Sequence, residues 1–245
     1  MEFAISAWRA VSPFHQTLAD WRQWIAQGRD INGLTATDID VSFLPAMKRR
    51  RLSLAARLMF AASWSLLPEN VSCPVVFVSH DGEINRSFQL WQSLLRQEEL
   101  SPTSFALSVH NAVVGQWSLM RADMSECIAL SARYNGLEIG ITEAVGLLEE
   151  GASQVLVVVV EEPIVAEYNV AAVRAPFPLA LGLILTAGKQ TSLTYSPKMA
   201  GATDNPLAAA LNYYSSPLGW IEQQITEQPV RWQPAEKGVW QWRMG

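Results

Sequence analysis

Residues 153–160 read SQVLVVVV, and six of the eight are branched aliphatic residues. β-Branched side chains favour extended backbone, and an uninterrupted apolar run of this length is typical of a strand that is buried on both faces. The run therefore predicts a central strand. Because such strands occur mostly in sheets covered by helices on both sides, it also indicates an α/β protein.

The segments around this strand alternate between helix and strand patterns. Residues 136–151 predict a helix that stops at a glycine, while residues 126–132 and 73–79 predict two more strands. Residues 82–97 predict a helix whose apolar residues fall on one stripe, namely Phe88, Trp91, Leu94 and Leu95. Strand and helix alternation of this kind predicts a layered fold with a mainly parallel mixed sheet flanked by helices.

The outer parts of the chain give weaker patterns. Residues 3–10 predict a strand and residues 17–28 a helix, and residues 48–67 join a basic cluster to an apolar helix. That apolar stretch is shorter than the roughly 20 residues a bilayer requires, so we predict a buried helix of a water-soluble domain. Two strands are expected at 177–187 and 192–196, joined as a hairpin across 188–190.

The chain from residue 201 onward differs in composition, with four prolines and four of the ten tryptophans. A helix near 206–214 and a strand near 239–242 are expected there. We predict one domain over residues 1–245, with 201–245 as a divergent tail packed on it.

Composition and charge restrict the possible functions. The net charge of −5 gives no general basic surface for the phosphates of nucleic acid. Two cysteines are too few for a disulfide framework and lack the spacing of a zinc site. The first residues do not resemble a secretory signal, so a cytoplasmic protein is expected.

Several short motifs could carry chemistry, and each also has a structural interpretation. Residues 79–83, SHDGE, follow a strand, but adjacent residues cannot form a triad with one another, and Asp81 and Gly82 suit a turn that caps the next helix. Glu161 and Glu162 end the central strand, where neighbouring side chains point to opposite faces and so would not share a substrate.

Cys127 is a possible nucleophile, although an isolated buried cysteine more often serves as a small apolar side chain. His110 and Asn111 follow the alternating run SPTSFALSV, which suggests a strand-to-helix junction, and side chains there could either orient a thioester or satisfy backbone groups. The sequence contains no phosphate loop, metal motif or nucleophile elbow, so neither a cofactor nor a metal is expected.

Residues 101–120, SPTSFALSVHNAVVGQWSLM, together with residues 126–163 resemble the N-terminal half of β-ketoacyl synthases of the thiolase fold. The likeness is stronger to the short ketosynthase-like proteins of type II polyketide and aryl polyene gene sets, and it includes residues 44–62. It covers roughly residues 3–188. The resemblance implies a thiolase-like layered fold with a truncated second half.

In active members of that family, a helix contains asparagine and glycine spaced as Asn111 and Gly115 are here. The strand after that helix leads to a nucleophilic cysteine at the start of a buried helix. Counting forward from Asn111 and backward from the central strand places that position at Tyr134. Cys127 lies seven residues earlier, at the beginning of the strand. The family also adds two histidines, or a histidine and an asparagine, from its second half, and this chain has none placed there.

The resemblance therefore implies an inactive chain-length factor that pairs with a ketosynthase and shapes the acyl tunnel between the two subunits. It implies that the partner interface and tunnel include Phe105, Leu107, His110, Asn111, Val114, Gly115, Trp117, Ile128, Leu130 and Tyr134. The basic residues Lys48, Arg49, Arg50 and Arg51 suit transient contact with an acidic acyl carrier protein. The alternative is a small acyltransferase, hydrolase or malonyl decarboxylase that uses Cys127 with His110 or His80.

Overall fold

The computed structural model describes residues 1–169, 174–197 and 216–245, which contain one mixed sheet of seven strands. In chain order, the strands are β1 (Glu2–Val11), β2 (Val75–Ser79), β3 (Cys127–Ser131), β4 (Val155–Glu161), β5 (Leu179–Pro197), β6 (Val230–Ala235) and β7 (Gly238–Met244). The helices are α1 (Leu18–Ala26), α2 (Ala46–Arg49), α3 (Leu54–Ser63), α4 (Ile84–Leu95), α5 (Pro102–Ala106), α6 (Ala112–Arg121), α7 (Gly136–Glu149) and α8 (Ser216–Thr226). Two short 3₁₀ turns lie at Trp64–Leu66 and Ala166–Tyr168.

The strand order is β3-β2-β4-β5-β7-β6, and β1 pairs with β5 outside this path. β2 runs parallel to β3 and β4, whereas every pair that involves β5 or β7 is antiparallel. The predicted mixed sheet with flanking helices is therefore present. Its parallel part is limited to three strands and is smaller than the sequence suggested.

β4 is the central strand that its sequence predicts, since all seven of its residues are buried. Val155, Val157 and Val159 belong to one apolar cluster, which includes the buried side of α7. The alternate residues of β4 belong to a second cluster, which includes α3 and α6. Burying each of these valines stabilises the fold by about 1.5–3 kcal/mol, so β4 joins two cores.

α7 packs closely on the sheet, with Gly140 at the point where it crosses β2. A Cβ atom at Gly140 would come within 2.8 Å of Val78 Cγ2 and 3.2 Å of Val157 Cγ1. A larger residue would push the helix outward and open the core. The predicted helix over 136–151 is confirmed, and it ends two residues earlier than expected.

The apolar segment after the basic cluster forms the buried helix α3, as predicted. It begins at Leu54, later than the pattern indicated, because Ser53 caps it by accepting a hydrogen bond from Ala56 N–H. Leu58, Met59 and Phe60 are fully buried. In the three described ranges, no helix is both long enough and apolar enough to cross a membrane.

The expected hairpin across residues 188–190 is wrong, because β5 runs without a break from Leu179 to Pro197. The irregularity lies in its pairing with β1, where Phe3 pairs with Thr191 but the next residue, Ala4, pairs with Thr186. The extra residues of β5 form a bulge between these pairs, which bends the strand without reversing it.

The described part of the tail extends the sheet. The expected terminal strand is confirmed as β7, and β6 precedes it in a hairpin that the sequence did not indicate. Trp220 of α8 and Trp242 of β7 are fully buried in the same cluster as β4. The helix expected near 206–214 lies outside the described residues.

Candidate functional site

Tyr134, the predicted position of the lost nucleophile, lies in the turn between β3 and α7. Asn135 follows in the left-handed conformation, with φ of 53°, and α7 begins at Gly136. The Tyr134 ring is half-buried, and the Arg133 guanidinium carbon lies 5.0 Å from its centroid. The turn therefore places this side chain at the N-terminus of a buried helix, where the helix dipole favours negative charge.

Cys127 is the first residue of β3 and reaches the surface. Partial burial raises the pKa of its thiol, and the nearby carboxylates of Asp123 and Glu126 raise it further. The raised pKa favours the protonated thiol, which is a weaker nucleophile than the thiolate. Cys73 is buried, and burial raises its pKa to about 11.

His110 forms a structural joint between β2 and α6. Its Nε2 lies 3.0 Å from Ser79 Oγ in a hydrogen bond, and the same oxygen accepts a hydrogen bond from Gly82 N–H at 2.9 Å. Burial lowers the pKa of His110, which favours the neutral ring. Gly82 has a φ of +55°, and a Cβ atom there would lie 2.5 Å from His110 Cδ2, so the loop requires glycine.

The run before His110 is helical, so the expected strand-to-helix junction is wrong. Ser101 Oγ accepts a hydrogen bond from Ser104 N–H, and Pro102 occupies the first turn of α5. Both features start a helix regardless of the alternating pattern that follows. His110 therefore lies in a turn between two helices.

The predicted interface residues fall into three groups according to their exposure. Phe105, at 67% exposed, lies at the surface with Asn111 and Gly115. The half-buried residues are Leu107, His110, Ile128, Leu130 and Tyr134.

Val114 and Trp117 are buried in the chain's own core, and their predicted contact with the partner or its tunnel stays a prediction. The Trp117 ring lies 5.5 Å from Phe60 and 5.7 Å from Trp64. One face of α6 packs on α3 and the sheet, and helical spacing puts both residues on that face.

β3 forms one end of the sheet, and its outer side has no strand partner in the residues that the structure describes. Val75 N–H donates to Glu126 O, and Ala132 N–H donates to Ser79 O. Residues two apart in a strand direct their backbone groups to the same side, so the even-numbered residues face β2. Cys127, Ala129 and Ser131 therefore direct their N–H and C=O groups outward.

A polar cluster lies where β2 and β4 end. Arg174 donates two hydrogen bonds to Asp81, one from Nε and one from Nη2, the latter at 3.0 Å. Asp81 therefore serves as an ion-pair partner and not as the predicted helix cap. His80 Nε2 lies 3.6 Å from Asp81 Oδ1, and burial lowers the pKa of His80.

Glu161 lies beside this cluster and is 7% exposed. Burial raises its pKa to about 8, and the Asp81 carboxylate acts in the same direction. Arg174, which the sequence did not single out, is the cation of the cluster. It is 93 positions from Asp81, and no local pattern could have identified it.

Glu162 turns away from Glu161, as predicted. Its Oε2 accepts a hydrogen bond from Ala55 N–H at the start of α3, and its Oε1 accepts one from Asn85 Nδ2 at 2.7 Å. Glu162 thus binds the start of α3 and Asn85, whereas Glu161 lies beside the polar cluster of Asp81. The two glutamates do not form an acid and base pair at one site. In the described ranges, no group of three or more potential ligands is arranged to hold a metal ion.

The basic cluster 48–51 borders two neighbouring clefts. A cleft of about 620 Å³ between α2, α5 and α6 is lined mainly by apolar side chains, including Met47, Ala106 and Leu119. A cleft of about 420 Å³ is lined mainly by polar side chains, which lie just before α3 and in or beside α4 and α5. The two share Arg51, Thr103 and Leu107.

The family model for the N-terminal domain of β-ketoacyl synthases matches residues 21–243. The chain belongs to this family. Among curated proteins, none matches the sequence.

The fold is similar to several solved ketosynthase structures. One is the ketosynthase ApeO in complex with its chain length factor ApeC from Xenorhabdus doucetiae, with a TM-score of 0.80, 27% identity, and 99% of each chain covered. The type II polyketide synthase complex AntDE:AntF has a TM-score of 0.66 at 12% identity, and the match covers 100% of this chain and 99% of that chain. The ishigamide ketosynthase/chain length factor has a TM-score of 0.63 at 16% identity, and the match covers 82% of this chain and 69% of that chain. This chain therefore has the thiolase-like ketosynthase fold.

Proposed function

We propose that this protein is a non-catalytic chain-length factor, which pairs with a β-ketoacyl synthase and shapes the acyl tunnel in aryl polyene or related type II biosynthesis. The observation that carries the proposal is the open outer side of β3, within a fold similar over 99% of its length to a chain of a ketosynthase and chain length factor complex.

The predicted loss of the nucleophile supports a non-catalytic role. Tyr134 occupies the turn before α7, and a phenol cannot form the thioester through which ketosynthases carry an acyl group. The alternative nucleophile, Cys127, has a raised pKa and no histidine partner among the described hydrogen bonds. The neutral ring of His110 is engaged by Ser79.

The pairing itself would be made by backbone groups. Cys127, Ala129 and Ser131 offer three N–H and three C=O groups to a strand of the ketosynthase, which would continue the sheet across the two subunits. Such pairing places the end of β3, with Tyr134, beside the partner.

The surface of α5 would then form part of the tunnel wall. Phe105 and Leu107 are the bulky residues of the predicted tunnel set that are accessible in and just after α5. Trp117, which belongs to the same set, lies in the core. An acyl chain can grow only until its end meets a wall, so their size would limit its length. The cluster 48–51 would meet the acidic carrier protein that delivers the chain.

The test is reconstitution with a β-ketoacyl synthase from the same organism. We expect a stable heterodimer by size-exclusion chromatography with light scattering, and products whose length increases in Phe105→Ala and Leu107→Ala variants. Trp232→Ala, an exposed aromatic residue on β6, is the matched control and should leave product length unchanged. A chain that stays a well-behaved monomer beside the ketosynthase would refute the proposal.

A further inference from the structure

α4 is an amphipathic helix whose apolar stripe is only partly covered by the rest of the chain. Phe88 is 8% exposed and packs near Tyr168, with 4.7 Å between the ring centroids. Trp91, Leu94 and Leu95 on the same stripe are 54%, 58% and 63% exposed. The apolar stripe that the sequence indicated is therefore largely open to solvent.

The neighbouring α5 segment adds to this surface. Phe105 is 67% exposed and Val109 is 52% exposed. Ser87 Oγ donates to Ser108 O at 3.3 Å, which holds α4 against the end of this segment. The apolar face is defined as Trp91, Leu94, Leu95, Phe105 and Val109.

Such a face is unusual on this molecule. No other pair of packed helices in the described ranges carries as many exposed large apolar side chains. Exposed apolar side chains gathered on two packed helices in this way are typical of an interaction site.

The size of the β3 edge also calls for additional contact surface. Five residues of strand are about 17 Å long, and a stable interface buries about 1,200–2,000 Å² in total. One strand pair covers only part of that area. A heterodimer built on β3 therefore needs a second contact with apolar character.

We propose that the apolar face of α4 and α5 is this second contact and packs against the ketosynthase subunit. The inference rests on the proposed function and extends it to residues outside the predicted interface. Phe105 belongs to both sets, so the face continues the predicted contact from α5 onto α4. An acidic carrier protein fits the face poorly, because Glu98 and Glu99 are exposed just beyond the end of α4.

The test compares three variants of the full chain, each purified with and without the ketosynthase. The α4 variant Trp91→Ser/Leu94→Ser changes only exposed side chains, and Trp232→Ser on β6 is the matched control for loss of an exposed aromatic residue. The third variant is Ala129→Pro in β3. Affinity is measured by biolayer interferometry, folding by circular dichroism, and burial by hydrogen exchange of residues 84–95.

We expect the α4 variant to bind the ketosynthase on the order of 100-fold more weakly, with an unchanged melting temperature, while Trp232→Ser binds as the wild type does. Residues 84–95 should gain protection from exchange in the complex. If the wild type and the α4 variant bind equally while Ala129→Pro does not bind, the further inference is wrong and the proposed function stands.

Two other outcomes also decide the question. If the wild-type chain does not bind the ketosynthase at all, the proposed function fails together with this inference. If the α4 variant converts a self-associating wild-type chain into a monomer without changing ketosynthase binding, the face joins two copies of this chain, and the inference is overturned.

Discussion

The two ends of the sheet are built differently. β3 reads CIALS and has neither charge nor proline, whereas β6 reads VRWQPA and is preceded by Pro229. Met244 N–H donates to Pro229 O, so the odd-numbered residues of this strand face β7, and Pro234 lies at an outward position without an N–H group. Proline at an outward position blocks further strand pairing.

The β6 end of the sheet contributes to the stability of the chain, whereas the β3 end is suited to assembly with a partner. Next to β6, Trp242 and Trp220 complete the core, and the buried Glu138 carboxylate accepts hydrogen bonds from Trp242 Nε1 and Ser216 Oγ. We call this the closed end of the sheet, because Pro234 interrupts the outer edge of β6. At β3 the backbone groups remain available, so this is the end where a partner can add a strand.

The strongest test of this comparison is Ala129→Pro. The N–H group of Ala129 points away from β2, so proline keeps every N–H group of β3 that donates to β2 and removes an outward donor. We expect ketosynthase binding to weaken by on the order of 100-fold or more, measured by biolayer interferometry. Val230→Pro makes the equivalent change in β6 and should not affect binding; equal losses in both variants would contradict the comparison.

The closed end should respond in stability and not in binding. Ser216 Oγ lies 2.8 Å and 2.7 Å from the two oxygens of Glu138, and both residues are fully buried. Ser216→Ala should therefore lower the free energy of unfolding by about 1.5–3 kcal/mol in urea titrations, because it removes a hydrogen bond to a carboxylate in a dry interior. Ser196→Ala, at an exposed position on β5, is the control, and a Ser216→Ala chain as stable as wild type would be inconsistent with this account.

A smaller effect is expected at the polar cluster between the two ends. The pKa of Glu161 is raised from its ordinary value of 4.5 to about 8, so the folded protein holds a proton that the unfolded chain releases in this range. Wild-type stability should fall relative to Glu161→Gln as pH rises from about 4.5 to 8, and the difference should then become constant. Each unit of pKa difference corresponds to about 1.4 kcal/mol, so a gap of at least about 1 kcal/mol is expected between pH 5 and pH 8 in urea titrations. Parallel pH profiles for the two proteins would mean that Glu161 is not protonated in the fold.

The smallest effect is expected for Cys127→Ala. The mutation keeps the outward backbone groups of β3, so ketosynthase binding and product length should change less than about twofold. Incubation of the free chain with an acyl thioester should give no adduct by mass spectrometry, since the thiol pKa is raised. An adduct on the wild type that disappears in the variant would favour the enzyme alternative.

The elements that sequence patterns predicted well are those whose burial is nearly complete. β4 and α3 were found in the expected places because an element buried on all sides must be apolar throughout, and that property is visible locally. The turn that carries Tyr134 was also expected, from its spacing to the neighbouring elements.

The errors occurred where distant partners decide the structure. The bulge in β5 depends on its pairing with β1, about 180 residues away. The ion pair of Asp81 depends on Arg174, and no local pattern links the two positions. The apolar stripes of α4 and α6 look equivalent as sequence, although Trp117 is 1% exposed and Trp91 is 54% exposed.

The alternation of buried strands and helices was predictable from the amino-acid sequence, because it depends on residues that are close together in the chain. The family was predictable from motifs that keep a characteristic order and spacing along the chain. Which apolar faces remain uncovered and which edge strand offers an uninterrupted row of backbone groups became visible only in the folded chain. Those properties depend on tertiary contacts between residues that are distant in the sequence. The local sequence around an apolar side chain is the same whether the side chain packs within this chain or against another.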